Sequence, residues 1–295
     1  MADNNKIILK PNEELDIVEL VKSKRRSLDL GMGPIGEKIF TVFRDNNIQL
    51  LNFDLELKNS SGLAAFYLEK KSTVTDLESY YIAINTSEPL DMQIFNACHE
   101  YYHHIDDNEK TLHLQRISEP DDDLTNAKAN RFAAEFLLPT ETLVTLVKKH
   151  NRGKTNLELW NENALLRLIV QVQIDFQVPY KMIVKRLSEI EAITTSLKGE
   201  LLSINDRDSY SIYYKIGITI NEYIFSKLNR ATNKSGVDTE ALNVILQNFD
   251  EETITVDSAI KDLEIFDKKL EDFGYDINVL EDDIDEIAEL FGDDD

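Results

Sequence analysis

A chain of 295 residues, 42% of them hydrophobic, has ample material for a buried core and for one or two domains. Its formal charge of -23 repels nucleic-acid phosphates and anionic lipid surfaces, so neither is expected as the main ligand. Its one cysteine, Cys98, excludes an intrachain disulfide framework and a cysteine-rich zinc site. No run of about 18 apolar residues marks a signal peptide or a membrane span, which makes the cytoplasm the expected compartment.

In chain order, residues 13–29 alternate apolar Leu15, Val18, Val21 and Leu28 with charged positions at helical spacing. The basic cluster Lys22-Ser23-Lys24-Arg25-Arg26 reads as a solvated face of that helix. The stretch Gly31 to Gly36 interrupts it, and Pro34 suits the first turn of a second helix through Ile39, Phe40 and Phe43. These glycines match neither a dinucleotide fingerprint nor a P-loop. Three short runs rich in branched and aromatic residues, 48–53, 62–68 and 80–85, predict the strands of a small antiparallel sheet. Pro89 and Asp91 lead into a helix reaching His104. A polar loop over 106–124 precedes a further helix ending at Leu137-Leu138-Pro139.

The pattern is helical from 141 to 193, and Phe176 to Leu187 looks like two short helices around a turn, close in appearance to a DNA-binding helix-turn-helix. Residues 200–295 are helical as well, without an internal repeat. From Glu271 to Asp295 there are twelve acidic and no basic residues. Ile277, Leu280, Ile284, Ile287 and Phe291 still recur at helical spacing, which predicts an amphipathic acidic helix.

The segment with evident chemistry is His99-Glu100-Tyr101-Tyr102-His103. On a helix, residues i and i+4 share a face, so both imidazoles can grip one Zn2+. Zinc brings the pKa of a bound water to about 7, and Glu100, beside the first ligand, is placed to take that water's proton and pass it to a leaving amine. The competing reading is a pair of surface histidines with a chance glutamate. Against it, Ile94, Phe95, Ala97, Tyr101, Tyr102 and Ile105 mark a core helix, where unpaired polar groups are costly. Cys98 reads as a small buried thiol and His104, Asp106 and Asp107 as a solvated helix end.

Asn126-Ala-Lys-Ala-Asn130-Arg-Phe-Ala-Ala-Glu135-Phe-Leu-Leu-Pro139, following this motif, resembles the second signature of ImmA/IrrE-type metallopeptidases. The resemblance spans residues 15–195, including Gly33-Pro34-Ile35 and the strands at Gly62 and Ile82. It implies an α+β fold: a mostly helical metallopeptidase domain with a small antiparallel sheet packed on the HExxH helix. That domain would be residues 1–195, with a helical part at 141–195, followed by a helical extension at 196–295. The family supplies its third zinc ligand from a Glu at the position of Asn126. An amide oxygen is a weaker zinc ligand than a carboxylate, so Asn126, Asp122 and Asp123 all stand as candidates for the third position. Glu135 lies nine residues on, about half a helical rotation away, and reads as a surface residue.

The resemblance implies a selective regulatory endopeptidase whose substrate is a protein partner, such as a helix-turn-helix repressor, with no nucleic acid and no membrane as direct ligand. An acidic surface suits a basic partner. The alternative, motivated by Asn126, is a catalytically impaired relative acting as a protein-binding module. A DNA-binding regulator built on 176–187 is the weakest reading in so acidic a chain.

Overall fold

The structure is a computed structural model, and it describes residues 8–46, 48–55, 63–71, 78–106, 112–116, 124–237, 239–264 and 268–275. It divides into two compact units, Met1–Lys234 and Ser235–Asp295. The acidic helix expected at the C-terminal end lies outside the described residues, as do Asp107, Asp122 and Asp123.

The first unit is α+β and mostly helical. Its strands β1 (Ile48–Phe53), β2 (Leu63–Lys71), β3 (Glu78–Asn85) and β4 (Leu112–Arg116) lie in the order β4-β2-β3-β1. The sheet is mixed rather than antiparallel: β2 runs antiparallel to β3 and β4, but β1 runs parallel to β3, pairing Ile48 with Tyr80 and Phe53 with Asn85. The cause is topological. The chain reverses between β1 and β2, and β3 then inserts between them, so it can be antiparallel to only one. Ile82, Ala83 and Ile84 are all buried, as a central strand covered on both faces requires. β4 falls in the stretch expected to be a polar loop.

Helix α1 (Pro11–Ser27) begins with proline at its first position, where no backbone donor is lost. Pro34 does not open the next helix, as α2 (Lys38–Asp45) starts four residues later. Between them Gly36 has φ +53°, and a β-carbon there would lie 2.3 Å from Gln177 Oε1, which accepts the Glu37 amide at 2.8 Å.

Helix α3 (Leu90–Ile105) follows Pro89, and nearly every residue from Leu90 to His103 is buried. It packs against β2, β3 and α4 (Leu124–Leu137). Fully buried Ala129 and Ala133 keep α4 close to its neighbours. Pro139 ends α4 and immediately precedes α5 (Thr140–His150).

Helices α6 (Glu162–Phe176) and α7 (Tyr180–Glu189) turn at Gln177, which is left-handed at φ 57°. The helix pair foreseen around this turn is present. Its second member is a core helix, with Tyr180, Met182, Ile183, Val184, Arg186 and Leu187 buried, and only Lys181, Lys185 and Glu189 exposed. Helices α8 (Thr195–Leu202) and α9 (Ile212–Leu228) complete this unit, α9 packing on α6. The second unit holds α10 (Thr239–Asp250), α11 (Val256–Glu264) and a small core around Ala259, Leu263 and Leu270. Among the described residues no helix is long and apolar enough to cross a membrane.

Candidate active site

Side chains on successive turns of α3 share one face, and the helix carries His99, Glu100 and His103 into the interior. His99 and His103 are 1% exposed and Glu100 is 0% exposed, so the surface-histidine reading fails. His99 Nε2 and His103 Nε2 lie 3.2 Å apart, and the ring centroids are 5.0 Å apart. On its other side, His99 Nδ1 is 2.9 Å from Asn130 Oδ1 of α4. A carbonyl oxygen can only accept, so Nδ1 carries a proton, and in the neutral ring Nε2 then presents its lone pair toward His103. Two buried imidazoles in this arrangement can share a proton or hold one cation between them.

An aromatic layer fixes the rotation of α3. The Tyr101 ring lies 5.2 Å from Phe43 and 5.9 Å from Phe136, and Tyr102 lies 5.6 Å from Phe132. His104 is not a solvated helix end. It is half-buried among Tyr67, Tyr80 and Tyr101, with Tyr80 4.6 Å away edge-on and the Tyr67 hydroxyl 3.4 Å from Nδ1. Cys98 is fully buried, and burial pushes its thiol pKa up, as expected of an inert core thiol.

Among the described residues no group of three His, Cys, Asp or Glu side chains is arranged to hold a metal. Asn126 is half-buried at the start of α4, one helical turn before Asn130 and so on the same face. Asn130 is the neighbour that sequence reasoning passed over. Its spacing from Asn126 was the available signal.

Two basic and acidic residues read as surface groups are interior instead. Arg25 is 1% exposed, and its guanidinium donates to the carbonyls of Phe136, Gly31 and Gly33. Burial lowers its pKa to about 10. Glu135 is 3% exposed. It accepts from Arg186 Nη2 at 2.7 Å, Arg131 Nη1 at 3.0 Å and the Thr140 amide at 2.8 Å, which caps α5. Burial works to raise its pKa, but Arg186 and Thr140 outweigh burial and hold it below the ordinary value.

The N-terminus of α3 has its own buried network. Asp91 is 0% exposed and accepts from Arg207 Nη2 at 2.7 Å and Gln173 Nε2 at 2.8 Å, while Gln173 accepts from the Tyr213 hydroxyl at 2.6 Å. Strand-like pairing of Pro89 with Ala231 and the Leu90 amide bond to the Arg230 carbonyl tie the same end down. Residues from α6 and from 204–234 therefore hold the helix that carries the site.

In comparison with known protein families, residues 44–188 match a peptidase family described as the IrrE N-terminal-like domain. No curated protein matches the chain.

Proposed function

We propose, on the premise that residues 44–188 match the IrrE N-terminal-like peptidase family, that the protein is a zinc-dependent endopeptidase acting on a protein partner. The observation that carries the reading is the pair of buried Nε2 atoms 3.2 Å apart on one face of α3. Two ligands of a tetrahedral zinc, each about 2.0–2.1 Å from it, stand about 3.3 Å apart. The donor set present therefore fits the ion, with His99 and His103 as two ligands and the third from Asn126, Asp122 or Asp123. Zinc bound there supplies the Lewis acidity that makes water nucleophilic near neutral pH and polarises a peptide carbonyl.

The protein's own residues do the rest. To hold the ion, the His99 and His103 rings would each turn a bare Nε2 toward it. Their burial keeps bulk water from competing for the site. The Glu100 carboxylate accepts the proton of the attacking water and delivers it to the leaving amine nitrogen, so no covalent enzyme intermediate forms. The chain's charge of -23 suits a basic partner, consistent with a DNA-binding repressor of the helix-turn-helix class as substrate. The second reading, a protein-binding module of low activity, draws on the neutral Asn126 and on the lack of a three-ligand cluster among the described residues.

Glu100→Gln separates the two. The amide keeps the shape but cannot accept a proton at neutral pH. Expressed in cells beside the parent, Glu100→Gln should lose the new protein N-termini that the parent generates. A parent whose N-termini are the same as those of Glu100→Gln would favour the binding module.

A further inference from the structure

The contact between α3 and α4 has a consequence beyond packing. We infer that Asn130 is a positioning residue for the metal site: its amide oxygen fixes which nitrogen of His99 is protonated and which faces His103. This rests on reading His99 and His103 as ligands. A free imidazole exchanges its proton between two nitrogens, and a histidine ligates a metal through whichever one is bare. A ring held as the Nδ1–H form has Nε2 committed as a donor before any ion arrives.

Asn130 Oδ1 stands 2.9 Å from His99 Nδ1, within normal hydrogen-bond range, and it reaches there from a different helix. That helix is anchored at its far end. Glu135 near the C-terminus of α4 is tied to α5 by the Thr140 amide and to α7 by Arg186. Asn130 is therefore supported from outside the site, as an outer-shell partner must be if it is to orient a ligand. An amide imposes the tautomer without placing charge beside the ring. A carboxylate at the same place would impose the same tautomer and also make Nε2 a stronger donor. Asn130→Asp and Asn130→Ala thus part company: one keeps an acceptor for Nδ1–H, the other removes it.

The test uses the full-length protein and zinc alone. Chelator competition should show zinc held about 10- to 100-fold less tightly by Asn130→Ala than by the parent, with Asn130→Asp equal to or tighter than the parent. Nitrogen NMR of the metal-free protein at mildly alkaline pH should show His99 as the Nδ1–H form in the parent and in Asn130→Asp, and a mixture in Asn130→Ala. A merely structural asparagine would move neither the tautomer nor its rescue by aspartate. A parent with His99 in the Nε2–H form, or an Asn130→Ala protein that binds zinc within twofold of the parent, would overturn the inference. A parent that shows the Nδ1–H form but takes up no zinc would support Asn130's hold on the ring and overturn the metal reading alone.

Discussion

At the scale of single residues, the placement of the proposed site was legible where neighbours in the chain spell it. Helical spacing alone puts the imidazoles of His99 and His103 on one face, where their Nε2 atoms lie 3.2 Å apart. Glu135 and Arg25 were not legible, because burial there is licensed by partners far away in sequence. Arg186 is 51 residues from Glu135, and the Phe136 carbonyl is 111 residues from Arg25. The open position is Asn126. If its neutral oxygen is the third donor, Asn126→Glu adds a negative charge beside a dication in a partly desolvated place and should tighten zinc at least tenfold, or about 1.4 kcal/mol. If Asp122 or Asp123 fills the position, that variant should change little, and alanine at the responsible aspartate should release the metal. Chelator titration of the three variants distinguishes these accounts, and no change in any of them would show that the second signature is misaligned.

A second residue-scale prediction concerns Glu88, just ahead of α3. It is buried, with Asn96 Nδ2 donating to its Oε2 at 2.6 Å. Burial, opposed by that hydrogen bond and reinforced by the charge of Asp91, pushes its pKa up to about 7 from 4.5. Between those values the folded protein binds a proton that the unfolded chain releases, so stability falls as pH rises through the window. The loss is complete above about pH 7. Glu88→Gln keeps an acceptor for Asn96 and has no charge to desolvate. It should be more stable than the parent at pH 8 by roughly 2–3 kcal/mol and equal to it near pH 4.5. Urea denaturation at the two pH values checks this; a pH-independent difference would contradict it.

At the scale of elements, periodicity found α3, α4 and the core helix α7, and composition found β1, β2 and β3. It missed what composition does not encode. β4 is a five-residue strand in a polar stretch, and its existence depends on β2 offering an edge to pair with. The parallel pairing of β1 with β3 depends on the order in which strands are inserted, which no single strand carries. The junction of α4, α5 and α7 was equally hidden, because Glu135 there meets Arg186, 51 residues on in the chain, as well as the Thr140 amide. The Glu135 and Arg186 side chains are 4% and 1% exposed. Glu135→Ala leaves the buried guanidinium without this carboxylate and removes the cap of α5, and it should cost about 3–5 kcal/mol of stability in thermal or urea unfolding near neutral pH. Because the Glu135 pKa is depressed in the folded state, its contribution exists above the unfolded value and disappears as acid titrates it. The gap between parent and variant should therefore narrow at low pH. A loss below about 1 kcal/mol near neutral pH would mean that the pair is dispensable.

At the scale of the whole molecule, the site is assembled by more of the chain than the family match covers. The match ends at residue 188, yet Arg207, Tyr213, Arg230 and Ala231 hold the start of α3 through Asp91, Gln173, Leu90 and Pro89. Those contacts join positions far apart in the chain, Arg207 and Asp91 by 116 residues and Tyr213 and Gln173 by 40, so the local pattern around the motif gave no hint of them. Residues 235–295 form a unit with its own small core. The overall charge of -23 was legible from the start and bears on partner choice rather than on the fold.

The proposed function requires His99 and His103 to hold one zinc ion. Elemental analysis of the full-length protein, reconstituted with zinc and desalted, tests this beside His99→Ala, with circular dichroism to show that both are folded. One zinc per chain in the parent and none in the variant is the predicted result. A folded parent without zinc, or a His99→Ala protein that keeps a full equivalent, would contradict it.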